Sequence, residues 1–456
     1  MDNLNSMIKK AESGDAEAQW RLAFYMMWES GERNQDWVER AISYYERSAA
    51  QGYGDSMLEL GAIYILGVGI DLNKEKALYW YNRAADMLFP KAFSCLGYEY
   101  GFHGHEDGGF VDYKAGFSYF IKGSLLKDAN SVFEIAKMYY YGNYVKQDID
   151  FAYRLFLEAQ VIIDGFSLAD NYEDVHLYLA EYYYKGQVIK QDIDMAKEYL
   201  EEAISGYERR IEEDQPPDFF MSKYRRSKRL LKKIEAGIIP EPPTEEEYSD
   251  ELLAFMTSDM MKFSKPALPI EELEAVKAEN RTIEMFDNKN FNEILEKAEE
   301  GDTESLYQAA YYLFNRFEDE PNNQSIINYA LYCYHECIKQ GFLSAMYNLG
   351  TIYFNGSGGV PFNKEKAYYL YLYSDVVLAS SEIGEYYARG EVVEQDFEQA
   401  FLHFAKTALY GGYGSHAAFD NLARMYSEGI FVDVDKKFAD YCTKRSKEFE
   451  GIFESE

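Results

Sequence analysis

The groups in this 456-residue chain that could do chemistry are four cysteines, six histidines and 79 carboxylates. Their spacing argues for little of it. Cys333 and Cys337 stand one helical turn apart, yet no third and fourth ligand lies near them for a zinc site. His103 and His105, followed by Glu106 and Asp107 in a glycine-rich stretch, make the best metal candidate, because two imidazoles beside acids can gather a divalent ion. The run Gly356-Ser357-Gly358-Gly359 lacks the Lys-Ser/Thr that completes a phosphate loop. The chain contains neither a nucleophile elbow nor an HExxH zinc helix. With 79 acids, carboxylate pairs arise by chance everywhere, so pairing alone nominates no general acid or base. No catalytic residue, no metal and no cofactor is expected, and the reading is not an enzyme.

The elements that would position any site follow one pattern. Asp55–Ala85, DSMLELGAIYILGVGIDLNKEKALYWYNRAA, reads as two short helices, A and B, joined by a glycine-bearing loop. Helix A carries an apolar-small pair, Leu60-Gly61, with Tyr64 one turn on; Gly67 and Gly69 break it, and Asn73 stands where a side chain caps helix B. The pair recurs at Leu22-Ala23, Leu96-Gly97, Ile135-Ala136, Leu179-Ala180, Ala309-Ala310, Leu349-Gly350, Ile383-Gly384 and Leu422-Ala423. Within each run the spacing is about 34 to 44 residues, the range of helical-hairpin solenoids. A small residue there lets helix B approach closely. Three residues later comes Met26, Tyr64, Tyr100, Tyr139, Tyr183, Leu313, Tyr353, Tyr387 or Tyr426, on the same helical face.

Helix B is anchored by Ala41, Ala77, Ala115, Ala152, Ala196, Ala330, Ala367, Ala400 or Ala439. Four residues earlier stand Asn73, Asp148, Asp192, Asn363, Asp396 and Asp435, which the spacing assigns as N-caps rather than catalytic acids. Seven residues after the alanine the residue is small in every unit except at Lys122. Cys333, His403 and Cys442 share the column of Trp80, Cys337 falls in the small-residue column, and Cys95 adjoins Leu96-Gly97. All five are expected to fill core.

Leu60-Gly61, Tyr64, Gly67-Val68-Gly69, Lys76-Ala77, Trp80-Tyr81 and Ala84-Ala85 together resemble the Sel-one-like repeat, a relative of the tetratricopeptide repeat; Met346–Gly350 through Lys366-Ala367 matches almost as closely. The resemblance covers most of residues 14–207 and 300–448, with departures at GFHGHEDGGF in the third unit and RFEDEPNNQS in the sixth. It implies an all-α, right-handed α-solenoid whose helix A lines the inner, concave wall, acting as a non-catalytic adaptor or inhibitor of another protein. The expected organisation is a block of about five repeats with a lead-in helix over 1–208, a helical and irregular connector over 209–290, and a block of about four repeats with its own lead-in over 291–456. The two blocks open alike, Ala11, Gly14 and Asp15 matching Ala298, Gly301 and Asp302.

The connector holds a basic helical stretch, Ser222–Glu235, followed by an acidic, proline-broken one, Pro240–Glu251. The basic run reads as a solvated face or an internal partner for nearby acid, with docking of nucleic acid or an acidic protein as the alternative. Lys plus Arg number 46 against 79 acids, a net charge of −33, which repels nucleic acid and anionic lipid and steers toward basic partners. The first residues lack a signal-type apolar core, no apolar run is long enough to span a bilayer, and four cysteines make no disulfide framework, so a cytoplasmic location is expected.

Beyond the tyrosine column, helix A carries Tyr140, Tyr141, Tyr182, Tyr184, Tyr311, Tyr312, Phe354 and Tyr386. Consecutive rings cannot all enter one core at 3.6 residues per turn, so these eight divide between inter-repeat packing and a partner-binding wall. An acidic, tyrosine-lined groove suits a basic segment through charge and cation–π contact. The expected function is a protein-binding scaffold or adaptor. The alternative is a cytoplasmic immunity protein or inhibitor that neutralises a basic toxin or effector, with an enzyme or metal-binding regulator behind both.

Overall fold

A computed structural model describes residues 2–30, 34–101, 112–165, 172–213, 218–241, 250–262, 282–283, 289–317, 323–374, 376–412 and 414–453. Helix pairs follow one another along two compact units, Met1–Thr244 and Glu245–Glu456. In the first, a lead-in α1 (Asp2–Glu12) precedes five A–B pairs. These are α2 (Ala16–Phe24) with α3 (Gln35–Ala50), α4 (Gly54–Leu66) with α5 (Lys74–Ala85), α6 (Pro90–Gly101) with α7 (Tyr113–Leu125), α8 (Ala129–Tyr141) with α9 (Ile149–Gly165), and α10 (Tyr172–Lys185) with α11 (Ile193–Glu213). Helix α12 (Asp218–Glu235) packs on α11.

The second unit contains the short α13 (Asp250–Thr257) and a lead-in α14 (Phe291–Glu300). Its four pairs are α15 (Thr303–Phe317) with α16 (Gln324–Lys339), α17 (Ser344–Asn355) with α18 (Lys364–Leu372), α19 (Ala379–Arg389) with α20 (Phe397–Tyr410), and α21 (Ser415–Glu428) with α22 (Lys436–Phe453). Each A helix packs on its own B helix and each B helix on the next A, the contact order of an all-α solenoid. A two-residue antiparallel pairing of Thr282–Ile283 with Lys289–Asn290 precedes α14.

One turn design recurs between A and B. Gly67, Gly142, Gly186, Gly356, Gly390 and Gly429 end helix A in the left-handed region, at φ of 65°, 71°, 64°, 66°, 66° and 72°, where a side chain would be strained. A few residues on, Asn73, Asp148, Asp192, Asn363, Asp396 and Asp435 each accept the backbone N–H three positions ahead, capping helix B as their spacing predicts. Each cap residue also donates its own N–H to the carbonyl of the column tyrosine, Tyr64, Tyr139, Tyr183, Tyr353, Tyr387 or Tyr426. That tyrosine therefore closes the turn through its backbone while its ring packs. Asp15 and Asp302 cap the first helix after each lead-in, behind glycines at φ +102° and +93°.

The small residue of helix A is buried in all nine pairs, and what fills the space is a ring rather than a backbone. A Cβ built on Gly61 would lie 2.2 Å from the Tyr81 ring, on Gly97 2.5 Å from Phe120, on Gly384 2.7 Å from Phe404, and on Gly350 3.0 Å from Tyr371. These rings belong to a column four residues after the helix B anchor. Tyr45, Phe156, Leu200 and Tyr334 occupy it in other units, and all are buried.

This column corrects the third unit. Its cap is Asp112, which accepts from Ala115 N–H, so the anchor is the buried Gly116 and not the half-buried Ala115. The small position then falls on buried Gly123 rather than Lys122, and the apparent exception disappears.

Candidate functional site

The connector's basic stretch forms α12, and its inner stripe meets an acidic stripe on α10. Asp174, Tyr178, Glu181 and Lys185 recur at steps of four, three and four, which is one helical face. Across from them α12 presents Lys223, Arg226, buried Ser227, Leu230 and Ile234. Leu230 and Ile234 join Leu177, Ala180, Tyr184 and Leu200 in one apolar cluster. Arg225 and Lys232 lie off this face and are exposed, while Arg229 and Lys233 are exposed at its rim.

Arg226 is the centre of this contact. Its Nε donates to Glu181 Oε1 at 2.7 Å and its Nη2 to Oε2 at 2.6 Å, a two-pronged pair. Its Nη1 donates to the Tyr141 hydroxyl at 3.3 Å, and its Cζ lies 5.3 Å from the Tyr178 ring centroid. The Tyr140 hydroxyl donates to Glu181 at 3.2 Å and accepts from Lys185 Nζ at 2.8 Å. The Tyr141 and Tyr178 hydroxyls lie 2.9 Å apart.

Beside this site Lys223 pairs with Asp174, which also accepts from Tyr207 at 2.5 Å. Lys228 pairs with Glu208 at 2.8 Å. Past α12, Tyr184 donates to the Ile238 carbonyl at 2.7 Å and Gln191 to the Pro240 carbonyl at 3.0 Å. An open cavity of about 380 Å³ remains between Glu181, Tyr184, Lys185 and the α12 residues Arg226, Arg229, Leu230 and Lys233.

Electrostatics favour the bonding forms of Arg226, Tyr140 and Tyr207. Burial works against charge on Arg226, but Glu181 and the neighbouring hydroxyls outweigh it and hold the guanidinium above its ordinary pKa. Burial, then Glu181, raises the Tyr140 hydroxyl; burial, then Asp174, raises Tyr207. Both phenols stay protonated and donate. The basic run is thus an internal partner for nearby acid, the first of the readings its sequence allows.

The eight extra rings separate by packing. Tyr182, 1% exposed, donates to the Ile149 carbonyl at 2.8 Å, and buried Tyr386 makes the same kind of bond to the Lys364 carbonyl at 3.0 Å. Each reaches the first residue of the preceding unit's helix B. Tyr140 and Tyr184 are buried at the α12 contact. Tyr141 is 45% exposed, and Tyr311, Tyr312 and Phe354 are half-buried. Tyr312 accepts from Arg316 at 2.9 Å, and Phe354 meets Tyr386 edge-on at 6.1 Å.

Cys333, Cys337 and Cys442 are buried; burial pushes the Cys337 thiol well up, away from a reactive thiolate. His403 Nδ1 lies 2.7 Å from Ser380 Oγ, with its ring stacked on Tyr387. No group of three or more metal-capable side chains occurs among the described residues, and His103, His105, Glu106 and Asp107 lie outside them. No helix among the described residues is long and apolar enough to cross a membrane.

The Sel1 repeat family matches eight segments: 16–53, 54–87, 96–128, 129–159, 174–206, 343–374, 377–409 and 420–442. Together they exceed half the chain. The α15–α16 pair has the same packing and lies outside them. No curated protein matches the chain. Among solved structures it is similar to a protective antigen of uropathogenic Escherichia coli displaying an SLR fold, at 19% identity and a TM-score of 0.38 over 98% of this chain and 90% of that one. It is also similar to a Sel1 repeat protein from Oxalobacter formigenes, at 16% identity and a TM-score of 0.36 over 51% of this chain and 98% of that one. With the repeat present eight times in the register its caps and packing columns define, the chain belongs to the Sel1 repeat family, whose members generally mediate protein–protein interaction on a non-catalytic scaffold.

Proposed function

We propose that this chain is a non-catalytic, cytoplasmic scaffold that holds another protein by a basic surface or segment against acidic, tyrosine-bearing faces of its A helices. The observation that carries the reading is the Arg226 contact. There the repeat surface takes up an arginine by a two-pronged carboxylate pair and a ring 5.3 Å away. A net charge of −33 favours the same chemistry toward outside partners. Tyr141, Tyr311, Tyr312 and Phe354 keep ring area a partner can reach, while Tyr140, Tyr182, Tyr184 and Tyr386 brace the helices behind them. Nucleic acid and anionic membranes are disfavoured by the same charge.

Crosslinking in the native host tests this, comparing the wild-type chain with Tyr141→Ala and Tyr312→Ala. Recovery of a protein with a basic surface, reduced in either variant, supports the scaffold. If that protein is a co-produced toxin whose action is blocked, the scaffold is an inhibitor. Recovery of an acidic partner, or of nucleic acid, overturns the proposal.

A further inference from the structure

The second unit contains an open cavity of about 400 Å³ that no repeat column requires. That volume falls within the ~300–1,000 Å³ range of small-ligand sites. Its lining residues are Glu251, Phe255, Ser258, Met260, Tyr369 and Tyr373. Glu251 and Phe255 are one turn apart on α13, and Tyr369 and Tyr373 one turn apart at the end of α18. The centroids of Phe255, Tyr373 and Tyr369 form a triangle with sides of 5.1, 5.8 and 6.5 Å. Among the described residues, no lysine or arginine lines the cavity.

We propose that this cavity binds the guanidinium of an arginine side chain presented by a protein partner, with the three rings as its stacking surface and Glu251 as its counter-ion. The proposal deepens the scaffold reading and rests on it for the source of the arginine. Its chemistry has a filled counterpart in the first unit, where Glu181, Tyr141 and Tyr178 surround Arg226. In both places a carboxylate stands beside aromatic rings; in the second unit the described lining residues include no cation.

Ring geometry selects the kind of cation. The planes of the three rings are tilted by only 32°, 32° and 15° from one another. Rings that lie this nearly parallel present faces of one common orientation, which a flat group can match. A spherical ammonium is held best by faces converging from several directions. Arginine's planar fork stacks on such a surface while its N–H groups reach a carboxylate at the edge, which lysine's point charge does not reproduce. Glu251 is exposed and can turn toward that edge; its charge already acts on the Tyr373 hydroxyl, whose pKa is raised by burial first and Glu251 second.

The test titrates N-acetyl-L-arginine methylamide into the full chain, read by saturation-transfer NMR. The citrulline and lysine analogues serve as neutral and ammonium probes. The expected result is saturable arginine binding, about fivefold or more tighter than either analogue, and weakened about fivefold by Glu251→Gln and by Tyr373→Leu. Glu251 is exposed, so Glu251→Gln leaves the fold intact, and circular dichroism verifies this for both variants. No saturable binding, equal binding of citrulline or lysine, or an unaffected Glu251→Gln protein overturns the proposal. The probes are small molecules, so their failure leaves the scaffold reading standing, whereas recovery of an acidic partner removes that reading without touching the probe result.

Discussion

Replacing Gly61 with alanine adds one methyl group to a 456-residue protein, yet the structure predicts a measurable loss. The new Cβ would meet Tyr81 Cε1 at 2.2 Å, Cδ1 at 2.5 Å and Cζ at 2.7 Å. Carbon atoms rest about 3.5–4.0 Å apart, so the methyl overlaps the ring by more than an ångström. Tyr81 is buried and cannot swing into solvent. Overpacking of this kind costs about 1–3 kcal/mol, offset by the ~0.5–1 kcal/mol that alanine gains over glycine inside a helix. The net loss is then about 0–2.5 kcal/mol, and the 2.2 Å approach places Gly61→Ala in the upper half of that range.

Two other glycines calibrate the figure. Gly350→Ala meets Tyr371 at 3.0 Å and should be close to neutral, and Gly451→Ala meets nothing within 4 Å and should be neutral or slightly stabilising. Hydrogen exchange at the α4–α5 amides reads the local opening energy directly, which suits a chain of two units better than a single melting temperature. Adding Tyr81→Leu to Gly61→Ala should recover part of the loss. A Gly61→Ala protein as protected as wild type, or a double variant showing no coupling, would refute the ring-on-glycine packing.

Three further outcomes follow from particular contacts. Asp396→Ala removes an oxygen that accepts from both Glu398 and Gln399 N–H, and should cost about 1 kcal/mol, while Asp396→Asn restores most of it; equal losses in the two would show that the cap is not the cause. Arg226→Leu leaves the Glu181 side chain, 9% exposed, without its main partner. Breaking a buried pair costs about 3–5 kcal/mol, and because the Arg226 side chain is 35% exposed the expectation drops to about 1–3. It should appear as faster exchange along α12, and unchanged protection there would mean that Leu230 and Ile234 alone hold the helix. Burial keeps His335 at about 4 against 6.5 for the free side chain. The unfolded chain therefore binds more protons in that window, so the second unit loses stability as pH falls below 6.5 and stops losing it near 4, about 3 kcal/mol in all. His335→Gln should flatten that slope, and an unaltered slope would assign it to other groups.

Local signals made the repeat legible. Caps such as Asn73 and Asp396 and small residues such as Gly61 and Gly384 act within one turn or one hairpin, so spacing alone located them. Alignment on alanine failed in the third unit because Gly116 fills the anchor there. The ring column of Tyr81 and Phe404 carries no sequence signature, because its members run from Tyr45 to Leu200 and the ninth unit has exposed Thr443 there. The Arg226 site was hidden for another reason. Arg226 and Glu181 are 45 residues apart, and Lys223 and Asp174 are 49 apart, beyond any local periodicity. The usable signal was a pair of complementary stripes, Asp174–Tyr178–Glu181 on one helix and Lys223–Arg226–Leu230 on another. The extra tyrosines looked alike in sequence, and packing of the neighbouring repeat separated buried Tyr182 from exposed Tyr141.

The central claim is that acidic, aromatic repeat surfaces capture a basic protein, and the association rate of the crosslinked partner as a function of ionic strength tests it most directly. The account predicts a rate that falls about tenfold or more between about 50 and 500 mM salt. A rate that stays flat, or rises, across that range would contradict it.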